Sequence, residues 1–310
     1  MKIYRGIEQF DKIKNAAVTS GTFDGVHIGH KSILARLQEV AKKIKGESVL
    51  LTFHPHPRMV LQEDCDLRLI STIDEKIDLL EKTGLENLII HPFTKKFSRT
   101  SSLEYVRNIL VEKIGTKKLV IGYDHHFGRN REGSFEHLKE FSSLYGFEVE
   151  EISAKDIDDV NVSSTKIRKA LSKGDIHTAN TFLGHPFSLN GVVEKGNQLG
   201  RSLGFPTANI NLKNDYKLIP AHGVYAVRLH LKNRSFKGML NIGHRPTLNQ
   251  KNKTVSIEVH LFDFEENIYG EWLSVSLIER IRAEKKFEQI EDLVAEMKKD
   301  QSKALHILGH

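Results

Sequence analysis

The stretch AAVTSGTFDGVHIGH, residues 16–30, contains the signals that decide the fold of the first half of the chain. Small and β-branched residues run from Ala16 towards Thr22, a pattern typical of a short buried strand. Three glycines then allow tight turns and a close approach of the backbone to a ligand. Beyond them, apolar residues recur at the spacing of one helix face from Ile33 to Ile44. The stretch therefore predicts a strand, a glycine-rich turn and a helix in succession.

The alternation of strand and helix continues to about residue 152. Apolar runs of strand length lie at 48–53, 88–90, 119–121 and 147–152. Between them, Thr72 with Glu75 and Ser101 with Glu104 have the spacing of capping boxes that open helices, and Ser134–Tyr145 has a helical pattern. Buried strands that alternate with helices predict an α/β fold with a parallel sheet covered on both faces.

The second half of the chain changes to closely spaced strands. The candidate strands are Val192–Glu194, Gly223–Leu231, Ser235–Ile242, Thr254–Phe264 and Trp272–Ile281. Turn residues such as Asn233 and Gly270 separate them, which is the pattern of an antiparallel barrel or sandwich. A final helix is predicted from the apolar face that runs from Phe287 to Met297. We place the boundary near residue 184, which gives domains 1–184 and 185–310.

The composition is that of a globular protein with two domains. The chain has 310 residues, of which 39% are hydrophobic and 28% charged, and its mean hydropathy is −0.36. No apolar run approaches the roughly 18 residues of a membrane span, and the N-terminal MKIYRGIEQFDK lacks the apolar core of a secretory signal. The single cysteine, Cys65, cannot form an internal disulfide. A cytoplasmic protein without a membrane partner is therefore expected.

The charge distribution favours small ligands over nucleic acid. The net charge is +6, but basic residues are interleaved with acidic ones and form neither a basic arm nor a Cys/His finger. The excess is weak support for polyanionic ligands such as nucleotides, with ordinary surface chemistry as the alternative. No nucleic-acid partner is predicted, and the sequence does not indicate an oligomeric state.

Three unusual segments follow predicted strands, at 21–30, 53–57 and 122–128. Because ligands in open α/β sheets bind beyond the carboxyl ends of the strands, these segments are expected to converge on one crevice. His27 and His30 lie at the start of a helix, whose N-terminus favours phosphate. A turn with two solvated histidines is one alternative. A zinc site is another, although neither cysteine nor an HExxH motif accompanies the histidines.

The segments GTFDGVHIGH (21–30), FHPHP (53–57) and SSTKIR (163–168) together resemble the nucleotidyltransferase module of bacterial bifunctional riboflavin kinase/FMN adenylyltransferases, the FAD synthetase family. The resemblance implies a Rossmann-like fold that binds ATP and FMN. It implies that His27, His30 and Arg168 act at the ATP phosphates. The further residues implied at the nucleotide are Gly21, Phe23, Asp24, Gly25, Gly29, Ser163, Ser164 and Thr165.

Flavin contacts are predicted for Phe53, Pro57 and Asp124. For Phe53 and Pro57, packing at the sheet edge is an equally strong alternative. Asp124 lies in GYDHHFG, residues 122–128, where the commoner family pattern is GxDFRFG. Because His125 and His126 replace Phe and Arg of that pattern, no phosphate contact is predicted at position 126.

The second half contains neither a P-loop nor the HRD and DFG motifs of protein kinases, so a phosphotransferase here needs another design. A glycine-rich stretch that includes Gly200 leads into FPTAN, residues 205–209. Alternation places Thr207 and Asn209 on one strand face, where their oxygens could coordinate Mg²⁺ and phosphate. Glu258 lies on the strand face opposite the apolar residues, and a solvent-facing carboxylate is the structural alternative.

Five segments of the second half resemble the riboflavin kinase module of the same family in order and spacing. They are GRSLGFPTAN (200–209), GVY (223–225), NIG (241–243), EVH (258–260) and DF (263–264). The resemblance implies a flavokinase β-barrel, with Gly200, Thr207 and Asn209 at Mg²⁺–ATP and Glu258 as the catalytic base.

The two resemblances imply successive reactions. ATP phosphorylates riboflavin to FMN, and a second ATP adenylylates FMN to FAD with release of pyrophosphate. Riboflavin, FMN, FAD and ATP are therefore the expected ligands, with Mg²⁺ as cofactor. A non-enzymatic flavin sensor and a monofunctional adenylyltransferase with a degenerate barrel are the rival predictions.

Overall fold

The computed structural model describes residues 1–62, 64–123, 125–152, 162–196, 200, 203–244 and 255–309. Contacts within the chain divide it into two compact units, Met1–Ser163 and Ser164–His310. Each unit has its own sheet and its own hydrophobic core.

The first unit is built on a six-stranded sheet in which all neighbouring strands run parallel. Its strands are β1 Lys2–Tyr4, β2 Ala16–Ser20, β3 Ser48–His54, β4 Asn87–Pro92, β5 Thr116–Gly122 and β6 Glu148–Ile152. Their order across the sheet is β1-β4-β3-β2-β5-β6. The chain winds outward from β2 through β3 to β4, then crosses to β5 on the other side. The direction of winding thus changes between β2 and β5, and such a switch point opens a crevice at the carboxyl ends of the strands.

Helices cover both faces of this sheet. They are α1 Ile28–Lys43, α2 Pro57–Leu61, α3 Ile73–Glu81, α4 Ser102–Glu104, which continues as a π-helix over Tyr105–Ile114, and α5 Phe135–Tyr145. Short 3₁₀ turns lie at Ile7–Gln9, Phe97–Arg99 and Arg129–Arg131. Leu34 and Leu37 of α1 pack with Ala17 on one face, whereas Val18 packs with Leu110 on the other. The predicted Rossmann-like α/β fold is confirmed.

Both predicted capping boxes are present. The Thr72 hydroxyl accepts from the Glu75 amide at 3.2 Å, and the Glu75 carboxylate accepts from the Thr72 amide at 2.8 Å. Ser101 and Glu104 make the same reciprocal pair at the start of α4. These caps satisfy backbone donors that a helix leaves without partners in its first turn. The π-helical continuation of α4 and the short strand β1 were not predicted.

The second unit is a closed antiparallel barrel with the strand order β10-β11-β8-β7-β12-β9. Its strands are β7 Phe187–Glu194, β8 Ala208–Asn211, β9 Gly223–Leu231, β10 Arg234–His244, β11 Val255–Leu261 and β12 Trp272–Ala283. Helix α8, Ile290–Leu308, packs Ala304 and Leu308 against Val224 and Met239 of the barrel wall. The barrel is confirmed, and the sandwich alternative is wrong because the sheet closes on itself.

Two helices precede the barrel and belong to the same unit, α6 Ser164–Lys173 and α7 Ile176–Leu183. The Asn180 amide of α7 donates to the Leu277 carbonyl at 2.9 Å and accepts from the Phe187 amide at 2.7 Å. In α6, the Leu171 carbonyl accepts from the Ala221 amide at 3.0 Å. By contacts, residues 164–183 therefore go with the barrel, whereas the predicted functional division at 184/185 stays a prediction.

Candidate active sites

The first candidate site is the turn between β2 and α1. His27 occupies the N-cap of α1, and its Nδ1 accepts a hydrogen bond from the His30 amide at 3.3 Å. The His27 and His30 rings stack with their centroids 3.6 Å apart, and the Phe23 ring lies 4.5 Å from His30. The sequence motif thus folds into a stack of three rings at a helix N-terminus, where backbone donors and the helix dipole favour an anion.

Backbone strain in this turn is held by hydrogen bonds to distant residues. Val26 has a φ of 41°, which is unfavourable for a β-branched side chain, and Gly25 has a φ of 81°. The buried Asp24 carboxylate accepts from the amides of Ile70 and Ser71, both at 3.1 Å. The Gly25 amide donates to the Ser71 hydroxyl at 3.0 Å. Asp24 therefore anchors the turn to the segment before α3, and its predicted contact with ATP stays a prediction.

Gly21 and Gly29 are the remaining glycines of the turn. A Cβ at Gly21 would lie 3.1 Å from the Phe23 ring. Gly29 is buried in the first turn of α1. The Gly21 position favours glycine for packing, whatever further contact it makes with a nucleotide.

The chemistry of this site depends on buried nitrogen atoms. His30 Nδ1 is buried and has no hydrogen-bond partner among the described residues. Burial holds the His30 pKa well below its usual value, and the charges of His27 and Lys76 lower it further. His30 is therefore uncharged at neutral pH and can exchange hydrogen bonds with a phosphate without carrying a charge of its own.

Lys76 is a residue of this region that the sequence reasoning missed. Its side chain is 5% exposed, and its ammonium donates to the Thr22 carbonyl at 2.7 Å. Burial lowers its pKa to about 8, although the Asp24 carboxylate acts in the opposite direction. A signal was present in the sequence, because Lys76 lies between Ile73 and Leu80 on the apolar face of α3, where a charged residue is unusual.

Two of the three residues predicted to contact the flavin, Phe53 and Pro57, lie in the described part of the first unit. Phe53 is half-buried and packs on the core, with its ring 5.7 Å from Phe93 and 5.6 Å from Phe97. Pro57 is the first residue of α2, directly after the N-cap His56. Asp124 lies outside the described residues. The packing alternative for Phe53 is thus realised, and a flavin contact of either side chain stays a prediction.

His125, which departs from the family pattern, is half-buried beside Phe127, with their ring centroids 5.9 Å apart. Burial lowers its pKa to about 4, and the charges of His126 and Arg131 act in the same direction. An uncharged imidazole at this place has the packing role of an aromatic ring, which is the residue type of the commoner pattern.

The SSTKIR segment spans the boundary of the two units. Ser163 ends the first unit, and Ser164 and Thr165 open α6 of the second. Arg168 is half-buried on the same helix. Their predicted approach to the nucleotide bound by His27 and His30 stays a prediction.

The second candidate site lies on the barrel wall. Asn209 of β8 is the direct cross-strand partner of Glu258 on β11. The Thr207 hydroxyl, just before β8, donates to Glu258 Oε2 at 3.5 Å. Gly200 approaches the same place, since a Cβ there would lie 2.3 Å from the Phe205 carbonyl and 3.2 Å from the Thr207 hydroxyl oxygen. The structure thus brings together the four residues predicted for this half.

A cavity of about 290 Å³ opens beside Glu258 and Thr207. Apolar side chains from β9, β10, α8 and the loop before α8 form much of its wall, namely Val224, Met239, Leu240, Phe287, Leu293 and Met297. Sequence reasoning did not assign these residues to a site, because they come from distant elements with no shared motif. An apolar pocket with a few convergent polar groups is the usual form of a small-molecule site.

Two further contacts shape this cavity. His260 Nδ1 donates to the Pro206 carbonyl at 2.8 Å, and burial lowers the His260 pKa. Arg282 forms an ion pair with the buried Asp300 of α8 at 2.8 Å. The first contact fixes the backbone next to Thr207, and the second holds α8 against the barrel. Among the described residues, no group of three or more His, Cys, Asp or Glu side chains is arranged to hold a metal ion.

Two family models match the chain and together cover most of it. The FAD synthetase model matches residues 9–166, and the riboflavin kinase model matches residues 183–308. The chain belongs to the bifunctional riboflavin kinase/FMN adenylyltransferase family. Phosphorylation of riboflavin to FMN and adenylylation of FMN to FAD are therefore its activities, with ATP as the co-substrate of both.

Curated members of the riboflavin kinase/FMN adenylyltransferase family are similar over nearly the full length. The enzyme of Buchnera aphidicola subsp. Schizaphis graminum is 39% identical over 97% of this chain and 96% of its own. That of Bacillus subtilis is 34% identical over 94% and 92%. That of Escherichia coli K12 is 33% identical over 100% and 98%.

The two-module fold also occurs in a solved structure. A crystal structure from Streptococcus pneumoniae, described as a macrolide-efflux protein, is 29% identical and superposes with a TM-score of 0.88 over 97% of both chains. The efflux role belongs to the description of the Streptococcus pneumoniae protein and is not transferred to the present chain. In the described part of the present chain, no helix has the length and hydropathy needed to cross a bilayer.

Proposed function

We propose that the barrel cavity binds riboflavin and that Glu258 is the general base of its phosphorylation. The observation that carries this proposal is the position of Glu258, with Oε2 3.5 Å from the Thr207 hydroxyl at the wall of an apolar cavity. The 5′-hydroxyl oxygen of riboflavin attacks the γ-phosphorus of ATP, and the bond from that phosphorus to ADP breaks. The hydroxyl proton passes to the Glu258 carboxylate.

The cavity suits the two parts of riboflavin. The flat ring system can pack its apolar dimethylbenzene part between Met239, Phe287 and Met297, where burial of apolar surface favours binding. The ribityl chain would then extend towards Glu258 at the polar end of the cavity. This orientation keeps the reacting hydroxyl near the base and leaves the apolar wall for recognition of the flavin.

Residues around Glu258 have the chemistry to hold Mg²⁺ together with ATP phosphates. Mg²⁺ prefers oxygen ligands and is usually bound by one or two protein groups plus substrate phosphates and water. The Thr207 hydroxyl and the Asn209 side-chain oxygen, on the same edge as Glu258, fit that requirement. When bound, Mg²⁺ would neutralise charge that develops on the transferring phosphate. Gly200, where a Cβ would lie 3.2 Å from the Thr207 hydroxyl oxygen, is proposed to lie at the same phosphates.

The N-terminal unit is proposed to perform the adenylylation. A phosphate oxygen of FMN attacks the α-phosphorus of ATP, and the bond to pyrophosphate breaks. Because the attacking group is already ionised, neither a protein nucleophile nor a general base is required. His27 and His30 stabilise the phosphate charge as catalytic residues. Their stacked rings at the N-terminus of α1, where an anion is favoured, support this assignment.

Arg168, Ser163, Ser164 and Thr165 are proposed to complete the nucleotide site, on the strength of their match to the family motif. Phe53, Pro57 and Asp124 are proposed to contact the flavin of FMN on the same ground. A division of labour at 184/185 and a cytoplasmic location also remain proposals. The low cysteine content supports the latter.

Product analysis tests the division of labour. Purified protein is incubated with riboflavin and ATP, with Mg²⁺ or with an excess of chelator, and the flavins are separated by chromatography. Formation of FAD through FMN in the presence of Mg²⁺ is expected. Formation of FMN without FAD would show that the protein has kinase activity alone. Conversion of supplied FMN to FAD without conversion of riboflavin would show that it has adenylyltransferase activity alone. Unchanged riboflavin that nevertheless binds would instead support the sensor.

A further inference from the structure

Lys76 is a buried cation that the proposed chemistry does not yet use. It lies on α3, 5% exposed, and its ammonium donates to the Thr22 carbonyl at 2.7 Å. The same carbonyl accepts from the Thr52 hydroxyl at 3.2 Å. Thr22 is part of the turn that carries His27 and His30, so the ammonium bonds to the turn of the proposed phosphate site, and its charge acts on His30.

The hydrogen bonds of this ammonium are incomplete. A protonated lysine carries three N–H donors, and the described residues provide one hydrogen-bond acceptor for them, the Thr22 carbonyl. Buried donors are normally paired, because an unpaired one loses the hydrogen bonds that water would provide. His30 Nδ1, in the same region, is also buried without a partner among the described residues. Two incompletely bonded nitrogens beside one helix N-terminus indicate that a ligand with several acceptor oxygens completes them.

We propose that Lys76 binds a phosphate group of ATP during adenylylation, beside His30 and the N-terminus of α1. The proposal rests on the assignment of adenylylation to the N-terminal unit. A triphosphate carries enough acceptor oxygens to satisfy the two donors that Thr22 leaves, and its negative charge compensates the buried ammonium. Lys76 would then stabilise the charge that passes to the pyrophosphate leaving group.

The charged surroundings decide the pH range in which this contact operates. The titratable groups that face Lys76 are Asp24 of the turn, His30 of α1 and His54 at the end of β3, with Glu75 next to it on α3. Burial lowers the pKa of both histidines, and the charge of Lys76 lowers it further. The pKa of Lys76 itself is about 8, so its charge is present at neutral pH and is lost as the pH rises through that value.

The experiment compares Lys76→Met and Lys76→Arg with Lys82→Met in the full-length chain. Methionine keeps the apolar stem without the charge, arginine keeps a charge that does not titrate, and Lys82 is an exposed lysine at the end of the same helix. The readouts are thermal stability, kinase rate, and kcat/KM for ATP in the adenylylation of supplied FMN from pH 6 to about 10.

Lys76→Met is expected to lower adenylylation by on the order of 10²-fold, while the kinase rate and thermal stability stay at the wild-type level. Lys82→Met should leave both reactions unchanged. In the wild type, kcat/KM for ATP should fall as the pH rises above about 8. In Lys76→Arg that fall should disappear from this range.

A Lys76→Met protein that adenylylates FMN within about threefold of wild type would overturn the proposal. If Lys76→Met does not fold, the pH profiles decide: an alkaline fall at the same pH in wild type and Lys76→Arg would also overturn it. A failure of wild-type protein to convert FMN, or an intact rate in His30→Ala, would instead refute the adenylylation site itself. The two failures are therefore distinguishable.

Discussion

The two candidate sites differ in what holds their reactive groups in place. In the barrel, Glu258 and Asn209 face each other across a β-ladder, so strand register alone fixes their separation. In the N-terminal unit, His27 and His30 follow a turn outside the sheet, and residues about 46 positions away hold that turn through Asp24 and Gly25. The geometry of the barrel site therefore depends on the pairing of its own strands, whereas the geometry of the turn depends on hydrogen bonds to residues distant in sequence.

The sites also differ in electrostatic character, which follows from their proposed chemistry. The turn collects imidazoles, a helix N-terminus and the ammonium of Lys76 around a place for phosphate. The barrel site offers a carboxylate at the edge of an apolar cavity, where a hydroxyl proton must be removed. Binding of charge and removal of a proton are separate tasks, so substitutions at one site are expected to spare the reaction at the other.

The largest expected effect is that of Glu258→Gln on the kinase. The amide keeps the size and hydrogen-bonding capacity of the side chain but cannot accept the proton. Riboflavin phosphorylation should fall roughly 10²- to 10⁴-fold, while adenylylation of supplied FMN continues. The measurement is the initial rate of each half-reaction on protein of unchanged thermal stability.

A matched control for Glu258→Gln is Glu271→Gln, which removes a carboxylate from an exposed ion pair with Lys232 in the same unit. Such pairs contribute about 0–1 kcal/mol, so neither reaction should change. A Glu258→Gln kinase within a few-fold of wild type would remove this carboxylate from the mechanism and return it to the role of a solvated strand residue.

His30→Ala should produce the opposite pattern. It removes a preorganised hydrogen-bonding group from the phosphate site, which typically costs on the order of 10²-fold or more in rate. FAD formation should be suppressed, and FMN formation should stay nearly intact. Both are measured by flavin chromatography. Parallel loss of the two activities in a folded variant would contradict the separation of the sites.

A smaller effect is expected for His260, which acts through its neighbour. Its Nδ1 donates to the Pro206 carbonyl and so fixes the backbone next to Thr207. His260→Ala should lower kcat/KM of the kinase by about 10-fold, since misplaced catalytic groups lose part of their orientation. In His260→Asn, the amide nitrogen can replace Nδ1 as donor, so recovery of most of the rate is expected. Equal loss in both variants would point to packing rather than to this hydrogen bond.

The sequence predicted the parts of the sites that lie in contiguous motifs. GTFDGVHIGH indicated a helix N-terminus with two histidines, and His27 and His30 lie there. Alternation placed Asn209 and Glu258 on strands, where they are found, whereas Thr207 lies just before β8. These features were accessible because cap chemistry and the two-residue period are local properties of a chain. The fold classes followed from the same periodicities, and barrel closure was one of two forms that they allowed.

The parts that sequence reasoning missed depend on tertiary contacts. Lys76 comes to the turn because α3 packs beside it, and Phe287 and Met297 reach the cavity because α8 lies against the barrel. Asp24 was predicted as a ligand of ATP, and its carboxylate accepts hydrogen bonds from the backbone amides of Ile70 and Ser71. No local pattern distinguishes a carboxylate that binds a ligand from one that anchors a loop, since both follow a glycine-rich turn.

The smallest expected change in kinase rate follows removal of the whole N-terminal unit. A fragment that begins at Ser164 keeps α6, α7 and the barrel, and it should phosphorylate riboflavin within about threefold of the full-length rate while forming no FAD. A fragment that begins at His185 lacks α7, whose Ile176 and Leu183 are buried and whose Asn180 bonds to the barrel strands. Burial of two such apolar side chains stabilises by roughly 3–6 kcal/mol, so the shorter fragment should unfold at a distinctly lower denaturant concentration. The kinase rate and the denaturant concentration at half-unfolding are measured for both fragments, and together they locate the boundary.

Equal stability of the two fragments would support a border at 184/185. FAD formed by either folded fragment would contradict the assignment of adenylylation to the first unit.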